Sequence, residues 1–333
     1  MKQPDFIALE NLAAEHFGAE ALYCTDDFFA PVENLLKPGR GIFLEGEYTD
    51  RGKWMDGWES RRKRTEGHDF CIIKLGAMGR LRGLDIDTNH FLGNYPPYAS
   101  VEACCLPLDA SVETVLNHDD WDHLVKKIAL NPDSQHFIDM YSDYTYTHLK
   151  LRIYPDGGLA RFKVYGHVNV DWSMYDKNST IDLAAANMGA KAILCNDMFF
   201  NHMDNLIKPN KGTTVGDGWE TKRNRVLHNR DWVVVKLARP GTIKQALIDT
   251  SHFKGNYPDT FSLDGIHLSE KEGITTENIE QLPWTQILSK QKLEADQEHC
   301  YDNIANEAVF THVRLNIYPD GGVSRMRLFG NFV

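Results

Sequence analysis

Two phrases of this chain, Asp56-Gly57-Trp58-Glu59-Ser60-Arg61-Arg62 and Asp217-Gly218-Trp219-Glu220-Thr221-Lys222-Arg223, are near copies of each other. Each joins a turn signal, Asp-Gly, to a large aromatic, a carboxylate and a guanidinium. A carboxylate can deliver or accept a proton in a reaction. A guanidinium can hold an oxyanion through a planar fork of donors. Further doubled phrases add to the set. Asp87-Thr88-Asn89-His90-Phe91-Leu92-Gly93-Asn94-Tyr95-Pro96 matches Asp249-Thr250-Ser251-His252-Phe253-Lys254-Gly255-Asn256-Tyr257-Pro258. Tyr154-Pro155-Asp156-Gly157-Gly158 with Arg161 matches Tyr318-Pro319-Asp320-Gly321-Gly322 with Arg325. His90 and His252 supply imidazoles, the natural proton carriers near neutral pH. Together the types point to proton transfer on a small anion.

Each candidate also has a structural reading. Arg62 and Arg223 can clamp an anion or pair with Glu59 and Glu220, three residues earlier. Those glutamates can act as base or only complete the ion pair. His90 and His252 can be oriented by Asp87 and Asp249 if the loop curls, or bond backbone carbonyls. Asn94 and Asn256 are either amide hands or turn residues after glycine. Arg161 and Arg325, opening strands, point into a loop-lined mouth or cap a solvent face. Trp58 and Trp219 read as anchors, and both Asp-Gly-Gly segments as hairpin turns.

The doubling extends through the chain and sets the architecture. Gly18–Phe29 matches Gly189–Phe200, Asn34–Pro38 matches Asn205–Pro209, and Asp69–Leu75 matches Asp231–Leu237. The spacing drifts little, so one domain has been duplicated: residues 1–168 and 179–333, joined by a polar linker, 169–178. Leu149, Leu151 and Ile153 alternate with His148, Lys150 and Arg152, the period of a half-buried strand. Phe70–Ile73 and Trp232–Val235 are short apolar runs that fit buried strands. Helical period shows only briefly, at 7–14 and 182–187. Many short strands with Gly-rich turns predict an all-β fold, two tandem jelly-roll sandwiches.

The net charge of −11 argues against a nucleic-acid partner, which needs a basic footprint. No apolar run approaches the ~20 residues of a membrane span, and the N-terminus lacks the order of a signal peptide. The six cysteines form no CxxC pair and read as small core residues of a cytoplasmic protein. No metal-binding motif is present. Asp26, Asp27 and Asn34, with Asp197 and Asn205, form a candidate oxygen site for structural Ca²⁺, and no other cofactor is expected.

The ordered set Asp-Gly-Trp-Glu-x-[Arg/Lys]-Arg, Asp-Thr-x-His-Phe-x-Gly-Asn and Tyr-Pro-Asp-Gly-Gly-x-x-Arg, present twice from about Ile7 to Gly330, resembles the allantoicases. The resemblance implies hydrolysis of allantoate to ureidoglycolate and urea in purine catabolism. It also implies galactose-binding-domain-like jelly rolls and a homo-oligomer. For that substrate, Arg62, Arg223, Arg161 and Arg325 become carboxylate ligands and Asn94 and Asn256 ureido ligands. Glu59, His90, Glu220 and His252 become the proton-transfer candidates. The alternative is a non-catalytic module that binds carbohydrate or another small ligand on its end loops.

Overall fold

A computed structural model describes residues 3–269, 272–302, 304–305 and 307–333. The chain divides after Val170 into two compact units. Asn169 still belongs to the first, donating its backbone N–H to Met78 O and its amide to Thr145 Oγ1. Trp172 belongs to the second, with its ring against Phe332 at 5.0 Å.

Among the described residues each unit carries an eight-stranded antiparallel sheet built on one 19-residue strand, Asp69–Asp87 or Asp231–Asp249. That strand changes partners halfway. Residues 69–74 pair with Tyr146–Tyr154, and residues 79–87 pair with Arg161–Val168. Glu20–Cys24 joins the first half and Gln135–Asp139 the second. Tyr98–Cys104 extends the sheet from Tyr146–Tyr154, and Asp122–Ala129 follows it. The second unit repeats the scheme with Phe310–Tyr318 and Arg325–Phe332 on the two halves of Asp231–Asp249. One long strand thereby serves both layers of a jelly-roll sandwich, where the sequence pattern marks only the short apolar runs Phe70–Ile73 and Trp232–Val235.

The core follows the alternation. Leu149, Leu151, Ile153, Ile73, Val101, Phe162 and Trp58 are fully buried, as are Val233, Val235, Leu263, Leu315, Ile317 and Trp219. Each large apolar side chain so placed contributes about 1.5–3 kcal/mol relative to exposure. Both tryptophans also anchor a loop, with Nε1 donating to Asp26 O at 2.8 Å and to Asp197 O at 2.9 Å.

Three sequence expectations change. The polar side of Tyr146–Tyr154 is not solvent-facing: Lys150 is buried with its ammonium 4.1 Å from the Trp121 ring centre, and Arg152 is paired with Glu102 at 2.9 Å. The helical readings at 7–14 and 182–187 become two-residue strands and 3-10 turns, Glu10–Asn11 with Glu15–Phe17 and Ile181–Asp182 with Ala186–Met188. The Asn11 side chain explains the first case. Its Oδ1 accepts the N–H of both Ala13 and Val164, drawing the backbone out of the helix and onto the sheet. Of the cysteines, Cys71 and Cys104 are buried, Cys24 and Cys195 half-buried, and Cys105 and Cys300 exposed.

Candidate active site

Three of the doubled phrases meet at one end of each sandwich. In the first unit Trp58–Glu59 pairs with Gly158–Leu159, so the Glu59 and Asp156 segments run side by side. Gly158 N–H donates to Asn94 O at 2.7 Å, tying the third segment in. Glycine is required at this junction. Gly157 sits at φ 138°, and a Cβ on Gly158 would lie 2.0 Å from Cε1 of Phe91. Ser60 fastens the same turn: its Oγ accepts the N–H of Gly157 at 3.2 Å.

The polar side chains then interlock. Asn94 Nδ2 donates to Glu59 Oε1 at 2.8 Å. Asp156 Oδ2 accepts the backbone N–H of Lys63 at 2.8 Å and fixes the loop segment that carries Arg62. Burial raises the Glu59 carboxyl above its usual range, against the lowering effect of the Asn94 bond. Arg62 is exposed, and no ion pair to it is found among the described residues. Its neighbours are engaged, Arg61 with Asp26 and Lys63 with Asp69, both at 2.6 Å. Phe29, Tyr95 and Pro155 complete the walls of a cleft of about 560 Å³.

The second unit builds the same object from the same positions. Asn256 Nδ2 donates to Glu220 Oε1 at 2.5 Å, Asp320 Oδ2 accepts Asn224 N–H at 2.8 Å, and Gly322 N–H donates to Asn256 O at 2.8 Å. Thr221 takes the place of Ser60, with Oγ1 accepting Gly321 N–H at 3.1 Å. Its cleft, about 610 Å³, is lined by Glu220, Arg223, Asn256, Asp320, Phe200 and Tyr257 among others. Every residue lining it has a counterpart lining the first cleft. Arg223, like Arg62, is exposed and without an ion pair among the described residues. Where the first cleft has Pro97 the second has Asp259, whose carboxylate pairs with Lys292.

Glu59, Arg62 and Asn94 are therefore brought together, as are Glu220, Arg223 and Asn256. The other candidates are not. Neither His90 nor His252 lines either of these two clefts. Both take left-handed backbone, φ 66° and 73°, where their N–H groups donate to Asp133 and Asp296. His90 packs its ring against Phe43, and His252 Nε2 donates to Gly212 O at 2.9 Å. The Asp87 carboxylate does not orient His90. It holds Arg40 through two bonds of 2.8 Å and the N–H of Asn89.

Arg161 and Arg325 point inward. Arg161 is buried in an ion pair with Asp56 at 2.7 Å and also donates to Asp56 O and Ala160 O. Burial would raise the Asp56 carboxyl, but the Arg161 bond, with help from Ile42 N–H, holds it below its usual range. Arg325 donates to Asn210 O, Asp217 O and Ser324 O, and burial pulls its guanidinium down to about 10. Both arginines thus brace the Asp-Gly turn from below. The residues considered for Ca²⁺ also serve loops. Asp26 accepts N–H bonds from Phe28 and Arg61, and Asn34 and Asn205 turn their amide NH₂ groups to Gly57 O and Gly218 O. The Asn34 and Asn205 amide NH₂ groups are thus donors to loop carbonyls, and no group of three or more candidate metal ligands is found among the described residues.

Sequence reasoning missed Asp156 and Asp320 as site residues, taking them for hairpin turns only. They are turn residues that also line the clefts. It missed Phe29, Phe200, Tyr95 and Tyr257 as walls too. The signal available was that all of them are retained in both copies within the doubled phrases.

An allantoicase repeat family model matches residues 10–169 and again 181–333. The probable allantoicase of Stutzerimonas stutzeri (strain A1501) is 46% identical over 330 residues, covering 97% of this chain and 96% of the relative. The probable allantoicase 1 of Burkholderia mallei (strain ATCC 23344) is 44% identical over 323 residues, 96% of this chain and 94% of that one. The crystal structure of allantoicase from Saccharomyces cerevisiae superposes with a TM-score of 0.68 at 35% identity, over 97% of this chain and 93% of the yeast one.

Proposed function

The chain belongs to the allantoicase family, and from that premise we propose how its two clefts act on allantoate. The activity is hydrolytic: allantoate and water give ureidoglycolate and urea, a step of purine catabolism. The observation that carries the site assignment is the recurrence of one Glu–Asn–Arg–Asp set in both clefts.

Allantoate is a carboxylate whose adjacent carbon bears two ureido groups. Arg62 or Arg223, exposed and without an ion pair among the described residues, takes the carboxylate through paired N–H bonds. Asn94 and Asn256 have spent an N–H on glutamate, which leaves their carbonyl oxygens to accept from a ureido NH₂. Asp156 and Asp320 each use one oxygen on the backbone and offer the other to the second ureido group. The aromatic walls shield the reacting carbon.

Glutamate is the group placed to move protons. Protonated Glu59 or Glu220 gives its proton to the departing ureido nitrogen, and the C–N bond breaks to release urea. The lone pair of the remaining ureido nitrogen supports the electron-poor carbon. Water adds to that carbon, forming the C–O bond, and its proton returns to the carboxylate. One carboxyl then serves as acid and base in turn, contributing about 10²–10⁴-fold. The protein acts as a homo-oligomer in the cytoplasm and does not bind nucleic acid, consistent with its net charge of −11. Urea release from allantoate by the purified protein tests the function, and no urea above the enzyme-free rate would overturn it.

A further inference from the structure

Glu59 and Glu220 hold equivalent places, each bridged antiparallel to one residue of a neighbouring loop: Ala30 for Glu59, Asn201 for Glu220. That single difference changes how the two carboxylates are held. Glu220 accepts Asn256 Nδ2 on Oε1 at 2.5 Å and Asn201 Nδ2 on Oε2 at 3.1 Å. The second proton of Asn201 Nδ2 goes to Val215 O at 3.1 Å, so that amide is itself fixed. Glu59 has only the Asn94 bond, on Oε1. Ala30 offers a methyl group where Asn201 offers a donor. No partner for Glu59 Oε2 is found among the described residues.

We infer that the two clefts divide the work: the first turns allantoate over with Glu59 as its catalytic residue, and the second binds another molecule of the same ureido-carboxylate class without turning it over. This rests on the reading of both clefts as allantoate sites. An amide N–H on each oxygen holds the Glu220 carboxylate in one orientation with both oxygens engaged. To carry the proton that leaves with urea it would have to weaken one of those bonds. Glu220 is thereby a fixed acceptor, suited to hold a ureido group. Glu59 keeps one oxygen free to take and give a proton. Asn201 is then a positioning residue, and its exchange with Ala30 separates a binding cleft from a reacting one.

The test compares Glu59→Gln with Glu220→Gln in the full chain. If the wild-type protein releases no urea from allantoate, the parent reading fails and the comparison is not reached. Given wild-type turnover, E59Q is expected to lower kcat by about 100-fold more than E220Q does, the lower end of what acid–base catalysis supplies. Equal losses, equal retention or the reverse order would each overturn the division. Calorimetric titration of E59Q with allantoate should find two molecules per chain, and adding Arg223→Ala should leave one. A single molecule bound to E59Q would overturn the second site. If E59Q does not fold, the exposed pair Arg62→Ala and Arg223→Ala replaces it: R62A should cost at least ten times more in kcat/KM, and equal costs would overturn the proposal.

Discussion

Asp156 Oδ2 accepts the backbone N–H of Lys63 at 2.8 Å, one residue beyond Arg62. The same bond joins Asp320 to Asn224, one residue beyond Arg223. The turn that sequence reading treats as a hairpin closure is thus also the support of the segment that carries Arg62 or Arg223. Hydrogen bonds to charged groups are worth about 1.5–3 kcal/mol, so losing this one should misdirect Arg62 by roughly a tenfold effect on binding. Asp156→Ala is expected to raise KM for allantoate about tenfold, and Asp156→Asn, which keeps an acceptor oxygen, by much less. Equal KM values for the two variants would show that the bond does not position Arg62.

The junction beneath the cleft is as demanding sterically. A Cβ on Gly158 would lie 2.0 Å from the Phe91 ring, and one on Gly322 would lie 1.9 Å from Phe253. Neither ring can yield, because Phe91 and Phe253 are buried. Gly158→Ala is expected to destabilise the protein by about 1–3 kcal/mol, visible as a lower melting temperature by circular dichroism. Phe91→Leu combined with it should cost less than the sum of the two single changes, since the residues share one contact. Strict additivity would place the strain elsewhere.

How far the chain could be read in advance follows from these contacts. The strands were legible because Leu149, Leu151 and Ile153 alternate on a sheet whose inner face is the core. Their polar neighbours were misjudged because Trp121 and Glu102, remote in sequence, fold over Lys150 and Arg152. That Glu59, Arg62 and Asn94 share one cleft was legible because phrases that recur together meet in space. Asp156 was not, since its partner Lys63 is 93 positions away and Asp-Gly-Gly is already accounted for as a turn. Arg161 and His90 were misplaced for a common reason. Residue type shows what a side chain can do, while its direction is set by backbone angle and by partners such as Asp56 and Asp133.

A buried carboxyl away from the cleft makes stability depend on pH. Asp85 is fully buried, with Oδ2 accepting Gln135 Nε2 at 2.7 Å and Oδ1 unpartnered. Burial raises it from 3.8 to about 6, with the Gln135 bond opposing and the nearby Asp87 charge adding. The native state therefore binds this proton more tightly than the unfolded chain. Its contribution is best below 3.8, worsens as pH rises to about 6, and stays at its worst above that. The penalty there is on the order of 3 kcal/mol at 1.36 kcal/mol per unit. Asp85→Asn keeps the acceptor for Gln135 and removes the charge. It should raise the melting temperature by several degrees at pH 8 and change it little near pH 4, in paired thermal melts. A gain of equal size at both pH values would mean that the charge is not the cause.

His90 and His252 give the sharpest check on the glutamate assignment, because both were proton-transfer candidates by type alone. Their loops are held by Asp133 and Asp296, and neither imidazole lines either of the two clefts. If Glu59 supplies acid and base in turn, no imidazole is needed between it and the departing nitrogen. His90→Ala and His252→Ala should then keep kcat/KM for allantoate within about twofold, the range of a substitution outside the machinery. A hundredfold fall in kcat for either variant, with the melting temperature retained, is the size expected for loss of a general acid or base. That result would return the imidazole to the reaction and leave Glu59 as a ligand for the ureido group.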